Sequence, residues 1–235
     1  MDSNNQYPQP HSPCTSDNCV KKSRAQEIKQ RFFADRRDIQ LGNSTLAYQE
    51  HSISTGFDSL DRRLPGGGWP LGALTEILIP DYEPGTLWIT LPALASLSRQ
   101  QRWMAMVSPP HMPYAPALAA IGLDLNKILL IRPKSHTDVL WTIEEALKSG
   151  TCSSVLFWLN QSGNKVLRRL QLAAERSNAL ALCFRPEYLA SQRTSAALRI
   201  KVSPRATGLV TDILKCRGGR PHQGLNLNFS DIGYC

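Results

Sequence analysis

Five short apolar runs alternate with helical segments between residues 74 and 184, and this alternation limits the fold more than any other feature of the sequence. The runs cover residues 74–79, 103–107, 128–131, 154–159 and 179–184. Between them, residues 86–99, 114–121, 137–148 and 166–177 carry apolar side chains at helical spacing, with Gly122 and Gly150 as stop signals. Strands that are apolar at nearly every position need cover on both faces. The pattern therefore predicts an α/β sandwich with a mainly parallel central sheet and helices on both faces. Residues 198–202 and 209–214 read as a closing hairpin. In such sheets ligands bind beyond the carboxyl ends of the strands, which here carry residues 79–86, 108–114, 132–135, 160–164 and 185–186.

The first apolar run sits in a distinctive setting. Residues 54–91 pass through a polar turn and three consecutive glycines, Gly66 to Gly68, enter the run, and leave it by a loop that opens onto a helix. Ser54 or Thr55 is placed to cap a short helix containing Phe57, Leu60 and Leu64, which Pro65 and the glycines stop. Strand, loop and helix in this order form the layout of a phosphate-binding site. Its chemistry needs glycines for close backbone approach, a Lys for the β- and γ-phosphates, and a Ser or Thr for magnesium. The loop reads Ile79-Pro80-Asp81-Tyr82-Glu83-Pro84-Gly85-Thr86. Thr86 alone meets the requirement. Gly85 stands at the Lys position, Pro84 at the preceding Gly position, and Asp81 and Glu83 bring negative charge to where a triphosphate would sit. The nucleotide site is degenerate, and no cofactor is expected.

At 235 residues and 42% hydrophobic, the chain can bury one good-sized core with tails to spare. A net charge of +8 fits an anionic partner such as nucleic acid, or reflects general basicity without a specific partner. No apolar run approaches the roughly 20 residues of a membrane span, and the N-terminal MDSNNQYPQPHSP is no signal peptide, so a cytoplasmic location is expected. The 6 cysteines are scattered without CxxC pairs, which predicts reduced, structural thiols and no metal site. The histidines are equally dispersed, and no hydrolase constellation emerges.

Outside the expected α/β domain at residues 51–214, residues 1–19 read as a disordered tail. Residues 20–50 read as a basic helical arm (KKSRAQEIKQRFFADRR) with Ile28, Phe32 and Phe33 on one edge, which either docks on its own domain or binds a partner or DNA phosphates. Residues 215–235 read as a basic flexible tail. Its Lys215, Arg217 and Arg220 are either solvated or bound to DNA phosphates or an acidic partner.

Several segments resemble known families. Residues 54–86 resemble the core opening of the RecA recombinases, where a TG-x-x-x-LD segment and a glycine-rich turn precede the nucleotide-binding strand. The motifs LPGGGWPLGALTE, VSPPHMPYAPALAAIGLDL, LRRLQLAAE and FRP resemble the ImuA family, RecA-like accessory proteins of bacterial lesion bypass. Residues 91–204 also resemble the division inhibitor family SulA, notably at Arg102-Trp103, Gly122-Leu123 and Phe184-Arg185-Pro186. Together the resemblances span about residues 51–218 and imply a RecA-like, P-loop-type sandwich. On the RecA pattern the nucleotide Lys falls on Gly85, the catalytic Glu on Pro110 and the magnesium-anchoring Asp on Leu159. Three separate losses imply a scaffold without ATPase activity.

The ImuA resemblance implies a non-catalytic adaptor of the SOS DNA-damage response in error-prone translesion synthesis. Its partners would be a polymerase-like ImuB protein, an error-prone polymerase and RecA, with nucleoid association if the basic tails hold DNA. The SulA resemblance implies instead a division inhibitor that binds FtsZ and blocks its polymerisation. On that pattern Arg102 and Lys127 fall on basic positions of the inhibitory surface, while Ala117 replaces the aromatic expected between them. Both also have ordinary readings, Arg102 as a helix C-terminal charge and Lys127 as a solvated turn residue. Met112 and Tyr114, in the stiff loop at residues 109–114, and Arg185 complete the partner-contact candidates. That loop is either a contact surface or a turn closed over an emptied site, and Trp69 is either a contact anchor or part of the core. Residues before Leu74, absent from the shorter inhibitors, favour the adaptor.

Overall fold

All five apolar runs become strands of a single eight-stranded sheet in the computed structural model, which describes residues 51–80, 84–160, 162–228 and Ser230. The tail at residues 1–19, the arm at residues 20–50, Asp81, Cys14, Cys19 and Cys235 lie outside the described residues.

A small two-stranded unit, β1 (Ser52–Ile53) with β2 (Trp69–Pro70), leads into the sheet strands. These are β3 (Ala73–Ile79), β4 (Trp103–Val107), β5 (Ile128–Ile131), β6 (Cys152–Trp158), β7 (Leu180–Pro186), β8 (Leu198–Arg205), β9 (Gly208–Cys216) and β10 (His222–Asn228). Their spatial order is β10-β9-β8-β3-β7-β6-β4-β5. Strands β3 to β8 run parallel, and β9 pairs antiparallel with both β8 and β10. Central β3 and β7 are buried at every position, as strands covered on both faces must be.

Alternation along the strands divides the core. Ile77, Ile79, Met104, Met106, Leu156, Leu182, Phe184 and Ile200 face one side, with the helices α2 (Leu91–Ser98) and α3 (Ala115–Ala120). Leu74, Ala105, Val107, Val155, Phe157, Ala181 and Cys183 face the other, with α4 (His136–Lys148) and α5 (Asn164–Glu175). Ser135 caps α4 by accepting the Asp138 N–H at 3.1 Å. On α5, Gln171 turns inward and accepts the Leu74 N–H at 3.1 Å, fixing that helix to the start of β3.

The structure departs from the sequence expectations in three places and decides the open reading of Trp69. The helix expected over residues 86–99 is broken into a 3-10 stretch, Pro84–Thr90, and α2. Pro92, in the first turn of α2, makes a fresh helix start there favourable. The first helix, α1 (Asp58–Asp61), is capped at Phe57 rather than at Ser54 or Thr55. Those two hydroxyls donate instead to the Asp61 carboxylate, at 2.6 and 2.7 Å. Trp69 is fully buried and belongs to the core. Finally, the closing hairpin is followed by another strand, so the segment from Lys215 is ordered as the end of β9, a turn and β10, not a flexible tail, as far as Asn228. Leu225 and Leu227 pack β10 on the core, a polar strand with only two inward apolar positions.

Candidate partner-binding site

The carboxyl edge of the sheet holds an apolar cavity of about 280 Å³. Ile79, Trp158 and Phe184 contribute from strand ends, Thr86, Leu87 and Trp88 from the 3-10 stretch, and Pro109 to Tyr114 from the loop after β4. That loop leaves the strand through Ser108, whose φ of 53° turns the chain sharply. Its N–H is held by Ile131 O at 2.9 Å. The Trp158 and Phe184 rings stack 4.9 Å apart at 11°. Met112 and Tyr114 stand out at the rim, 65% and 72% exposed.

The cavity lies beside the end of β3 and the 3-10 stretch, where the RecA resemblance would put a nucleotide, and its lining does not suit one. Among the described lining residues there is no Lys, Arg, Asp or Glu, so nothing there would balance a triphosphate. Thr86 is buried, Pro110 lies exposed on the rim, and Leu159 is buried with its N–H on Phe184 O at 3.0 Å. A Cβ added at Gly85 would meet none of the described residues within 4 Å. Carbon, not phosphate, suits this surface. Among the described residues no group of His, Cys, Asp and Glu could hold a metal ion, and no helix is long and apolar enough to cross a membrane.

A second surface lies along the open edge strand β5. Lys127 Nζ sits 5.5 Å from the centre of the Trp103 ring, a cation–π pair in which the indole remains 39% exposed. Leu125, Leu129 and Leu130 are similarly exposed beside it. Arg102 is differently employed: its Nη2 donates to the carbonyls of Gly150 and Cys152, clasping the turn before β6. The guanidinium thus serves the fold at that point.

Arg185 requires a correction. It is fully buried, donating Nη1 to Glu76 Oε1 at 2.6 Å and Nη2 to Ser162 O at 3.0 Å, so no partner reaches it. Arg199 Nε lies 2.9 Å from the other oxygen of Glu76. A single buried carboxylate therefore joins β3, β7 and β8, because positions 76, 185 and 199 all point to the same side of the sheet. Sequence reading passed over this group. The signal was present as one charged residue in each of the fully buried strands β3 and β7, Glu76 and Arg185, since a buried charge demands a partner of opposite charge on a neighbour.

Of the C-terminal cations, Lys215 donates to Thr194 O at 2.9 Å, and burial, followed by Arg217 and Arg199, pushes its ammonium pKa down. Arg217 faces Glu175 at 3.7 Å, and Arg220 is exposed.

Fold and site together define a mainly parallel α/β sandwich with an apolar groove at the carboxyl edge of its sheet and an aromatic, cationic margin at the β4–β5 edge. The family description "Cell division inhibitor SulA" matches residues 72–181. The chain is 31% identical over 115 residues to the cell division inhibitor SulA of Yersinia pestis (strain Pestoides F), covering 49% of this chain and 68% of that protein. The same values hold for the SulA of Yersinia pseudotuberculosis serotype O:1b (strain IP 31758). The crystal structure of SulA from Pseudomonas aeruginosa aligns at 29% identity and a TM-score of 0.41, over 48% of this chain and 97% of that one. The chain belongs to the SulA family.

Proposed function

We propose that this protein is a SulA-type inhibitor of cell division that acts without catalysis, by binding the tubulin-like FtsZ and blocking its polymerisation in the cytoplasm. The observation that carries this reading is the Lys127–Trp103 pair, exposed at a sheet edge inside the family-matched residues 72–181. A desolvatable aromatic with a cation held over it, flanked by half-exposed leucines, has the composition of an interface anchor. The RecA-like reading of the fold rests on the degenerate loop at residues 79–86 and on the parallel strand it follows. The inherited sheet gives rigidity, and contact gives the effect. The purified chain is expected to lower the amount of FtsZ polymer sedimented with GTP, and its overproduction to produce filamentous cells. Lys127→Glu with Trp103→Ala should abolish both effects while leaving the thermal midpoint near the parent's. Normal division on overproduction, with unaltered FtsZ polymer, would sink the reading.

A second reading, the lesion-bypass adaptor, is favoured by the residues before Leu74, which lie almost wholly outside the family match. The LPGGGW motif is built into the core through buried Trp69, with Gly68 pressed against Ile53. Copurification in parallel with FtsZ-like, ImuB-like, RecA-like and error-prone polymerase baits separates the two readings.

A further inference from the structure

The edge of the sheet opposite the groove, where the parallel strands begin, gathers arginines from three separate stretches of chain. Pro65, directly after Arg62, Arg63 and Leu64, abuts the β9–β10 turn: a Cβ on Gly219 would lie 3.0 Å from the Pro65 ring. Arg217 and Arg220 flank that glycine pair. Arg176 ends α5 beside them, since its neighbour Glu175 meets Arg217 at 3.7 Å. All five arginines are exposed.

The nearby carboxylates do not cancel this charge evenly. Asp61 is turned inward, accepting from Ser54 Oγ, Thr55 N and Thr55 Oγ1 at 2.6, 2.9 and 2.7 Å. Glu175 accepts from Gln171 Nε2 at 2.9 Å as well as meeting Arg217. Asp58 is the remaining exposed acid of these elements. The β9–β10 turn itself, from Lys215 to His222, contains no acidic residue.

The geometry points to this edge as a binding surface for the phosphate backbone of nucleic acid, with Arg62 and Arg63 completing a site that Arg217 and Arg220 begin. Guanidiniums grip phosphate oxygens as a fork, and a cluster drawn from several loops fits a line of phosphates without reading bases. Among the described residues no large apolar side chain is exposed on either turn that carries these arginines, so the inserting group an interfacial lipid site uses is not present there. The four arginines assigned to the site lie outside residues 72–181, only the neighbouring Arg176 falling within them, and the surface is separate from the margin assigned to FtsZ, so it stands or falls independently of that reading.

The test uses the full chain and a short fluorescein-labelled duplex of random sequence, with anisotropy followed across salt concentration. Binding should weaken steeply with salt. In the fourfold variant Arg62→Gln, Arg63→Gln, Arg217→Gln, Arg220→Gln, affinity at low salt should drop at least about tenfold and the log–log salt slope should shrink by about three to four, roughly 0.9 per lost contact. Arg132→Gln with Lys134→Gln, at the opposite edge, should change neither. Thermal midpoints confirm that each variant is folded. Unchanged affinity in the fourfold variant would place binding on the basic residues 20–37 and overturn the proposal. So would the absence of salt-dependent binding, or tighter association with anionic phospholipid vesicles than with the duplex.

Discussion

Glu76 Oε1 lies 2.6 Å from Arg185 Nη1, with both side chains wholly removed from solvent, and Arg199 closes on the same carboxylate from the strand on the other side. The arrangement joins the three innermost strands by charge as well as by hydrogen-bond ladder. Desolvation makes a buried pair a poor source of net stability, yet breaking one leaves an uncompensated charge. Here the loss of Glu76 would strand two guanidiniums. Glu76→Ala should therefore cost about 3–5 kcal/mol in urea unfolding. Replacing all three residues with Met should be less damaging than Glu76→Ala alone, because no buried charge is left behind. A triple variant less stable than the single one would show that the cluster is a net stabiliser.

The glycine-rich turn before β2 offers a sharper contrast. At Gly68 a Cβ would lie 2.1 Å from Ile53 O, a backbone atom of β1 that cannot swing aside. At Gly67 the surrounding space is open, but φ is +70°. Gly68→Ala should destabilise by about 3 kcal/mol or more, through overpacking that separates β1 from β2. Gly67→Ala meets only the left-handed penalty of about 1–2 kcal/mol. Thermal unfolding of the two variants would reverse this order if the β1–β2 unit contributed little.

How far the sequence discloses this molecule depends on what each stretch asks of its surroundings. Residues 74–79, 103–107, 128–131, 154–159 and 179–184 are apolar enough to identify themselves as strands, and the helices between them force the parallel topology. β10 hides because HQGLNLN spends its outward positions on polar groups and takes order from its partner β9. At the groove, the departures of Gly85, Pro110 and Leu159 from the RecA pattern were readable in the sequence. Trp88 and Trp158 were not, since only the folded chain brings the 3-10 stretch against the end of β6. Arg185 shows the limit of a motif. FRP looks like an exposed cation beside a turn, whereas strand parity sends its side chain inward toward Glu76. The same limit applies to Arg62 and Arg63, distant in sequence from Arg217 and adjacent only through Pro65.

The thiols test the interior directly. Burial pushes the Cys183 pKa well above its ordinary value, and the Glu76 charge adds to this, while Arg185 and Arg199 act the other way. Cys152 and Cys216 shift upward for the same first reason, burial. Cys183 should therefore resist alkylation near neutral pH and react only as fast as the protein unfolds globally, read by peptide mass. A raised folded-state pKa means that the stabilisation is complete below the unfolded thiol value of about 8.5 and is lost progressively as pH rises above it. Lys215, with its lowered pKa, acts in the opposite sense. The measurement is thus the difference in urea midpoint between the parent and Cys183→Ala, which should narrow from pH 8 to more alkaline values. A constant difference would contradict the shift.

The RecA resemblance of residues 79–86 makes a testable statement about nucleotide chemistry at the carboxyl-edge groove. If Gly85 were the sole obstacle, a Lys there would suffice, and the fold would permit it: a Cβ at Gly85 meets no atom of the described residues within 4 Å, and its φ is not in the left-handed region. Gly85→Lys should accordingly fold with a thermal midpoint close to the parent's. It should nonetheless show no ATP turnover, because Pro110 offers no base to position water and Leu159, buried among apolar side chains, offers no oxygen to organise magnesium. Adding Leu159→Asp would place an unpaired carboxylate in that core and should unfold the chain at a markedly lower temperature. Nucleotide hydrolysis by Gly85→Lys alone, above the rate in solution, would mean that the edge carries groups able to catalyse it, and would contradict this prediction.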